Sequence, residues 1–395
     1  MSTARQSAGS VGLCSREAAG RAALMRYIGN KTRLLPFIRS AIRKLELAPG
    51  SAHDAFAGTA SVGRALKADG WVVASSDLMT YSFVMQRAYV VAQRAPSFAA
   101  LRAGDPDLRR ALRSPALRAR AAQRGGEVLH AVAEYLSRWV DPERGFVSRH
   151  FAPAGGRMFF TDENAGRIDI ARRLLHEWLE AELISDDAYA LLLAALLEGA
   201  DRVANTAGVY TSYIKEWQPN ALKPLNLAPV LPIGGATGST ANQLDAVATA
   251  AMLGPVDLLY IDPPYNSRQY SGYYHVPEVI ARGWFDTVPV LHGKTGLLRD
   301  GSQRSDWCSP RKVGNALRSL LDSSGARHVL VSYNSEGLLP ATTLKKILAE
   351  RAVDGCVRLF TKGYKRYRAD SDREGRRYSG DRVRERLYHV RRTAK

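Results

Sequence analysis

The sequence predicts an α/β fold, a doubly wound Rossmann-like sheet carrying a mostly helical inserted domain. Three observations predict it. Strand, Gly-containing turn, helix and second strand follow one another through "SAHDAFAGTASVGRALKADGWVVASSD" (51–77), about the length of one βαβ unit. Such a unit implies a parallel sheet with its ligand at the carboxyl ends of the strands. Downstream, the apolar strands "VDLLYID" and "HVLVSYN" alternate with helical patterns at 273–282, 311–322 and 341–350, and "ERLYHVRR" reads as a final strand. Between these halves, 97–240 is rich in Arg, Leu and Ala at helical spacing.

In chain order, 1–24 is small, polar and arginine-bearing without periodicity, so it reads as a disordered extension, with Met25 a possible true start. Residues 25–96 hold the βαβ unit and a helix at 82–94. The insertion 97–240 carries the helical runs "LRRALRSPALRARAAQ", "AGRIDIARRLLHEWLEAEL" and "DDAYALLLAALLEGADRVA", broken by the turn-rich "DPERGFVSRHFAPAGGRMFF". It closes at the Pro/Gly linker "APVLPIGGATGST". Residues 241–395 restore the α/β pattern and end in a basic segment.

Composition narrows the function. At 395 residues and 46% hydrophobic content the chain can bury a large core. The longest apolar stretch, "AYALLLAALLEGA", is shorter than the ~20 residues of a bilayer span and ends near Glu198, so a buried helix is expected and no membrane partner. The N-terminus lacks the apolar stretch of a secretory signal, which points to a cytoplasmic protein. Cys14, Cys308 and Cys356 have no paired spacing, so neither disulfide nor structural metal is predicted. The net charge of +18 favours a polyanion such as nucleic acid or an anionic membrane surface. It is concentrated in seven arginines at 101–124 and thirteen Lys/Arg at 361–395. Either cluster alone could equally be a solvated surface.

Two strand ends carry the chemistry. "DAFAGTAS" (54–61) lacks the GxGxxG of a dinucleotide site, leaving a tight turn at Gly58. Asp77 ends the second strand, where an acid either accepts from ribose hydroxyls or caps the next helix. "LLYIDPPYNSRQY" (258–270) drives an apolar strand into an acidic corner that two prolines hold rigid, with an aromatic ring on top. Such a corner keeps its carbonyls still.

"RYIGNKTRLLPFI" (26–38), "DAFAGTASVG", Asp77 and "DPPYNSRQY" occur in an order that resembles S-adenosylmethionine-dependent, amino-directed DNA methyltransferases of the Dam-like alpha group. The resemblance covers most of 26–392. It implies S-adenosylmethionine as cofactor, with Tyr27 packed near it and the Lys31 ammonium facing its carboxylate. Phe56, Ala57 and Gly58 would line the methionine side, Asp77 the ribose and Asp245 the adenine, with Asp54 a further cofactor-binding residue. Ala60 departs from the usual "AGTGS", and its methyl would narrow the turn.

Asp262, Pro263, Pro264 and Tyr265 would be catalytic. Asp262 and the Pro263 carbonyl would each accept one N–H of a base amine, and Asp262 would also border the cofactor. Tyr265 would stack on a base flipped out of the duplex. Asn266, Arg268, Tyr270, Lys365, Arg366 and Arg368 are candidate nucleic-acid contacts, the last three in the Tyr-interleaved "YKRYRADSDREGRRYSG". His275 is expected to be a core or capping histidine. "LVSYNSEGLL" (330–339) is either a wall of the base pocket or a plain strand-end turn.

The expected function is methylation of adenine N6 in double-stranded DNA by a nucleoid-associated enzyme, with a possible companion restriction endonuclease. The insertion would read the target sequence. An RNA amino-methyltransferase, an inactive DNA-binding component and a protein-glutamine methyltransferase remain open.

Overall fold

The computed structural model describes residues 25–365 and 382–393. Its main sheet has seven strands: β1 (Ser51–Asp54), β2 (Val72–Ser76), β3 (Thr240–Asn242), β4 (Leu258–Ile261), β7 (His328–Asn334), β8 (Arg358–Lys365) and β9 (Arg382–Arg391). The short strands β5 (Leu291–His292) and β6 (Leu297–Leu298) form a separate hairpin. The order across the main sheet is β3-β2-β1-β4-β7-β9-β8. Strands β1, β2, β3, β4 and β7 run parallel, and β9 pairs antiparallel with both β7 and β8. The chain therefore starts in the middle, winds outward to β3, and returns to the other side of β1 at β4. The crevice between β1 and β4 is the switch point where open α/β sheets place their ligands.

Alternation in β4 shows how the sheet is covered on both faces. Leu258 and Tyr260 belong to one apolar cluster, Leu259 and Ile261 to another, and all four are at most 1% exposed. The second cluster packs under the helices Ala246–Leu253, Val313–Ser323 and Ala341–Ala349. The first is larger and runs without a break from the sheet into the insertion, taking in Leu101, Leu136, Phe159 and Leu191 through Leu197. The insertion thus shares its core with the sheet.

Within it, the helix Asp162–Glu180 starts at Thr161, whose side chain accepts from the Asn164 N–H, and Asp186–Val203 starts at Ser185, which accepts from Ala188. Such caps meet donors that a helix start leaves bare. The apolar run at 188–200 is the buried helix its composition implied, and among the described residues no helix is long and apolar enough to cross a membrane. The turn-rich stretch after Asp141 contains a short helix, Phe146–Phe151, held by Asp169, which accepts the N–H groups of Gly145, Val147 and Ser148.

Two differences from the sequence reading have plain causes. The helix expected at 82–94 is Thr80–Gln86 followed by one π-turn at Arg87–Val91. The strands β3, β5, β6 and β8 were not foreseen. The first three are two or three residues long, too short for periodicity, and β8 holds its place by pairing with β9 rather than by an apolar face of its own.

The segment entering the crevice is tied to the insertion by Arg26. Its backbone N–H donates to Asp201 Oδ2 at 2.8 Å and its Nε to the same oxygen at 3.2 Å. Tyr210 donates to Asp201 Oδ1 at 3.0 Å. Asp201 is 1% exposed, so removing its carboxylate takes an acceptor from the Arg26 amide, from the Arg26 Nε and from the buried Tyr210 hydroxyl. Asp201→Ala is expected to destabilise the fold by about 3 kcal/mol, read from the midpoint of denaturant unfolding. A loss under about 1 kcal/mol would show that the link holds nothing in place.

Candidate active site

A cavity of about 900 Å³, counting its open mouth, lies at the switch point. Most of its wall comes from four segments, 27–31, the turn after β1, the residues after β2, and the Asp-Pro-Pro-Tyr corner after β4. Sheet registry brings them together, because Asp54 pairs with Ser75 on one side and Tyr260 on the other. The turn residue Ala57 then donates to Ser76 O at 3.0 Å, and Ala55 to Tyr260 O at 3.1 Å.

Gly58 sits at φ +53°, and a Cβ there would lie 2.9 Å from Tyr27 Cε1. Only glycine lets the ring close over the turn. Tyr27 is stacked on Tyr274 with centroids 4.8 Å apart and meets Tyr81 edge-on at 6.1 Å. The Tyr274 hydroxyl accepts the Ile28 N–H at 2.7 Å, so the aromatic wall also positions the backbone leading to Lys31.

Ala60 is fully buried at φ +58° and is not part of the cavity wall. Its methyl therefore lies in the turn, where the sequence reading put its effect, and not in the cavity. The departure from glycine falls on the backbone instead, as a left-handed alanine costing about 1–2 kcal/mol.

Lys31 is 3% exposed, and its ammonium has three partners. It lies 2.9 Å from Asp262 Oδ1, 2.6 Å from the Tyr265 hydroxyl and 3.1 Å from Gly29 O. Three donors meet three acceptors, so the buried charge is satisfied. The Tyr265 hydroxyl donates to the same Asp262 Oδ1, and its ring packs edge-on against Tyr333 at 5.4 Å. Tyr333 is pinned in turn by the Leu339 N–H, which donates to its hydroxyl at 2.9 Å. The "LVSYNSEGLL" turn thus braces the corner through that contact. Burial pushes Asp262 above the ordinary carboxylate range, while Lys31 pulls it back.

Asp54 and Asp77 face the same cavity. Asp54 Oδ2 accepts the Gly63 N–H at 2.9 Å, and Oδ1 is buried without a hydrogen-bond partner among the described residues. Burial first, and then the charge of Asp262, push Asp54 up to about 7. Asp77 accepts from Gly58 at 2.9 Å and from Met79 at 3.0 Å, and burial raises it too. Its oxygens therefore hold the Gly58 turn and the backbone that leads into the helix Thr80–Gln86 while the residue lines the cavity; the N-cap of that helix is Met79, not Asp77.

Asp245 lines the far end and caps its helix by accepting from Val247 at 2.8 Å. Phe56 lines the wall edge-on to Trp307 at 4.8 Å. Ala57, Pro263 and Pro264 complete it. Tyr270 belongs to this wall as well, packed on Tyr27 at 5.4 Å.

Asn266 and Arg268 lie past the corner, Arg268 exposed over the Tyr273 ring. Lys365 is the last residue of β8, and Arg366 and Arg368 fall outside the described residues. His275 is fully buried between Phe151 and Phe159, its Nε2 2.7 Å from Thr295 O, and is the core histidine expected.

Two residues beside the corner escaped the sequence reading. Glu385 on β9 is 7% exposed, its Oε2 has no partner among the described residues, and its charge acts on Lys31 and Asp262. The signal was available: it is an acid two residues before the buried Leu387 on a strand, hence on the inward face. Gln303, from the turn Gly301–Gln303, is 4% exposed on the cavity wall and had no sequence signal.

The residues fit S-adenosylmethionine. Aromatic rings flank the middle of the cavity, acids stand along it, and Asp54 Oδ1 is an orphaned acceptor. Three carboxylates, Asp54, Asp77 and Asp262, share the wall with Lys31, which suits a cationic ligand.

Comparison with known proteins identifies a family. The family model for D12 class N6 adenine-specific DNA methyltransferases matches residues 27–347. The type II methyltransferase M.NlaIII of Neisseria lactamica is 34% identical over 351 residues, 88% of this chain and 93% of its own length. M.FokI of Planomicrobium okeanokoites is 33% identical over 357 residues, and the modification methylase LlaI of Lactococcus lactis subsp. lactis 34% over 347. The chain spans about half the length of these two relatives, 50% and 51%.

The perturbed acid has a measurable consequence. A carboxyl raised from 3.8 to about 7 holds its proton longer in the folded state, so its contribution to stability is complete below about pH 4 and is lost as pH rises through 7. Asp54→Asn is expected to flatten the pH dependence of urea unfolding over that window. Parallel profiles for the two proteins would return Asp54 to an ordinary ionised acid.

Proposed function

The chain belongs to the D12 class of N6 adenine-specific DNA methyltransferases, and from that membership and the cavity we propose that it methylates the N6 amine of adenine in double-stranded DNA, with S-adenosylmethionine as methyl donor. One observation carries the reading: the Asp262 corner and Lys31 meet at the sheet's switch point, in a cavity walled by carboxylates and aromatic rings. S-adenosylmethionine supplies an electrophilic methyl group on a sulfonium centre.

The protein's own part is to hold and polarise the base. An adenine amine is a poor nucleophile while its lone pair is delocalised into the ring. Asp262 and the Pro263 carbonyl accept its two N–H bonds and so favour a lone pair localised on nitrogen. Lys31 and Tyr265 both engage Oδ1 of Asp262, which leaves Oδ2 free of those two partners. Pro263 and Pro264 fix the carbonyls, so little reorganisation accompanies binding. Tyr265 offers a stacking face to a flipped base, worth roughly 1–3 kcal/mol against the few kcal/mol that flipping costs. Tyr27, Phe56, Ala57 and Gly58 hold the cofactor's middle, Asp77 its ribose and Asp245 the adenine end. Lys31 reaches the cofactor's carboxylate by exchanging a partner.

The insertion is the target-recognising part in this reading, and the enzyme works at the nucleoid as the modification half of a restriction system. Arg109, Arg110, Arg113 and Arg118 are exposed on and between its helices Pro106–Ala111 and Pro115–Ala122, and are placed to meet phosphate.

Incubation with labelled S-adenosylmethionine and either duplex DNA or ribosomal RNA, followed by nucleoside analysis, tests the proposal. Label is expected in N6-methyldeoxyadenosine. Label in RNA alone, or on cytosine, would overturn it.

Asp262→Asn keeps a neutral acceptor beside Lys31 and is expected to lower turnover roughly 10²–10³-fold, with S-adenosylhomocysteine affinity changed less than about threefold. Wild-type turnover would refute the amine-gripping role. Replacing all four insertion arginines with glutamine should reduce the slope of log affinity against log salt by about 3 to 4, read by fluorescence anisotropy on duplex DNA. An unaltered slope would show that this face does not touch phosphate.

A further inference from the structure

Gln303 is a second buried acceptor on the cavity wall, and its assignment rests on the cofactor reading of that cavity. Its amide nitrogen donates to Glu278 Oε1 at 2.6 Å and faces Leu78 O at 3.5 Å. Glu278 is fully buried and also receives the N–H groups of Thr80 and Tyr81, each at 3.2 Å, and Arg282 Nε at 2.7 Å. A carboxylate accepts and a carbonyl accepts, so both neighbours demand the NH₂ end of the amide. The orientation of Gln303 is thereby fixed. Its Oε1 is shielded from solvent and has no hydrogen-bond partner among the described residues. A buried amide oxygen left without a donor is costly and rare, which marks it as a place where a ligand donor belongs.

Its position says which donor. Gln303 lines the cavity next to Leu78 and Met79, the residues that directly follow Asp77. Its turn is held rigidly: Asp300 accepts the Ser302 N–H at 2.9 Å, and Gln269 and Ser305 exchange hydrogen bonds of 2.8 and 3.1 Å. Asp77 already accepts from two backbone amides. A ribose presents two hydroxyl donors to this end of the site, where both oxygens of Asp77 are already engaged once and Gln303 Oε1 is not engaged at all. We propose that Gln303 is a further binding residue for the cofactor, its Oε1 accepting from one hydroxyl of the adenosine ribose while Asp77 takes the other.

Calorimetric titration of the full chain tests this, using S-adenosylhomocysteine, its 2′-deoxy and 3′-deoxy analogues, and the analogue lacking the adenine amine. Wild-type protein and Gln303→Met are compared. Methionine keeps the length of the side chain, and Glu278 keeps its other three donors. The variant is expected to bind S-adenosylhomocysteine roughly tenfold more weakly. For one deoxy analogue, wild type should show about the same loss and the variant no further loss, because the missing hydroxyl and the missing oxygen are the two halves of one bond.

A variant that weakens every ligand alike would assign Gln303 a merely structural role and overturn the proposal. Coupling to the deaminated analogue alone would move the contact to the adenine and overturn the ribose assignment. The wild-type arm does not depend on the variant folding: both deoxy analogues binding as tightly as the parent would be a refutation by itself. Wild type that fails to bind S-adenosylhomocysteine would sink the cofactor reading and this proposal together. Binding indifferent to Gln303 would sink this proposal alone.

Discussion

The site depends on the pairing of Lys31 with Asp262. A lysine at 3% exposure cannot stay charged without close acceptors, and it finds them in the Asp262 carboxylate, the Tyr265 hydroxyl and the Gly29 carbonyl. That requirement joins two segments more than two hundred residues apart in the chain. It fixes the Asp-Pro-Pro-Tyr corner against the segment that enters the cavity, and the prolines keep the corner from relaxing away. The aromatic stack of Tyr27 on Tyr274 and the Arg26–Asp201 link then hold the entering segment from its other side. Truncating either partner would leave a buried charge, so the pair is a structural constraint as well as chemical equipment.

The pairing also sets the electrostatic character of the cavity. Lys31 offsets the charge of Asp262 alone among the four carboxylates that line the cavity, and burial first, then the charge of Asp262, moves Asp54 up to about 7. An anionic cavity with aromatic walls favours a cation, and the methyl donor of this family is one. Its product is neutral, so the same wall that helps take up the donor holds the product less strongly. With the proposed cofactor, binding and turnover would in this way be linked through Lys31 and the acids around it.

Much of this was legible in the sequence because it depends on local rules. An unbroken apolar run and an acid-proline corner located β4 and its end, and the Gly58 turn located the end of β1. Tyr270 was read as a nucleic-acid contact, and its packing with Tyr274 on Tyr27 was not foreseen. What escaped depends on long-range registry. Glu385 reaches the corner only because β9 inserts antiparallel between β7 and β8, and Gln303 reaches the cavity on a turn without pattern. Ala60 shows a third kind of limit. Its methyl was read as narrowing the turn, whereas the cost lies in its left-handed backbone, which no sequence pattern shows.

A crystal structure of the protein with S-adenosylhomocysteine tests the central claim most directly, since it shows where the sulfur lies relative to Asp262 and what Lys31 then holds. The thioether is expected in the cavity between Tyr27 and Asp77, with Asp262 facing the sulfur and Lys31 bonded to the ligand's carboxylate. A ligand seated elsewhere, or Asp262 turned away from the sulfur with the Lys31 pair unchanged, would contradict it.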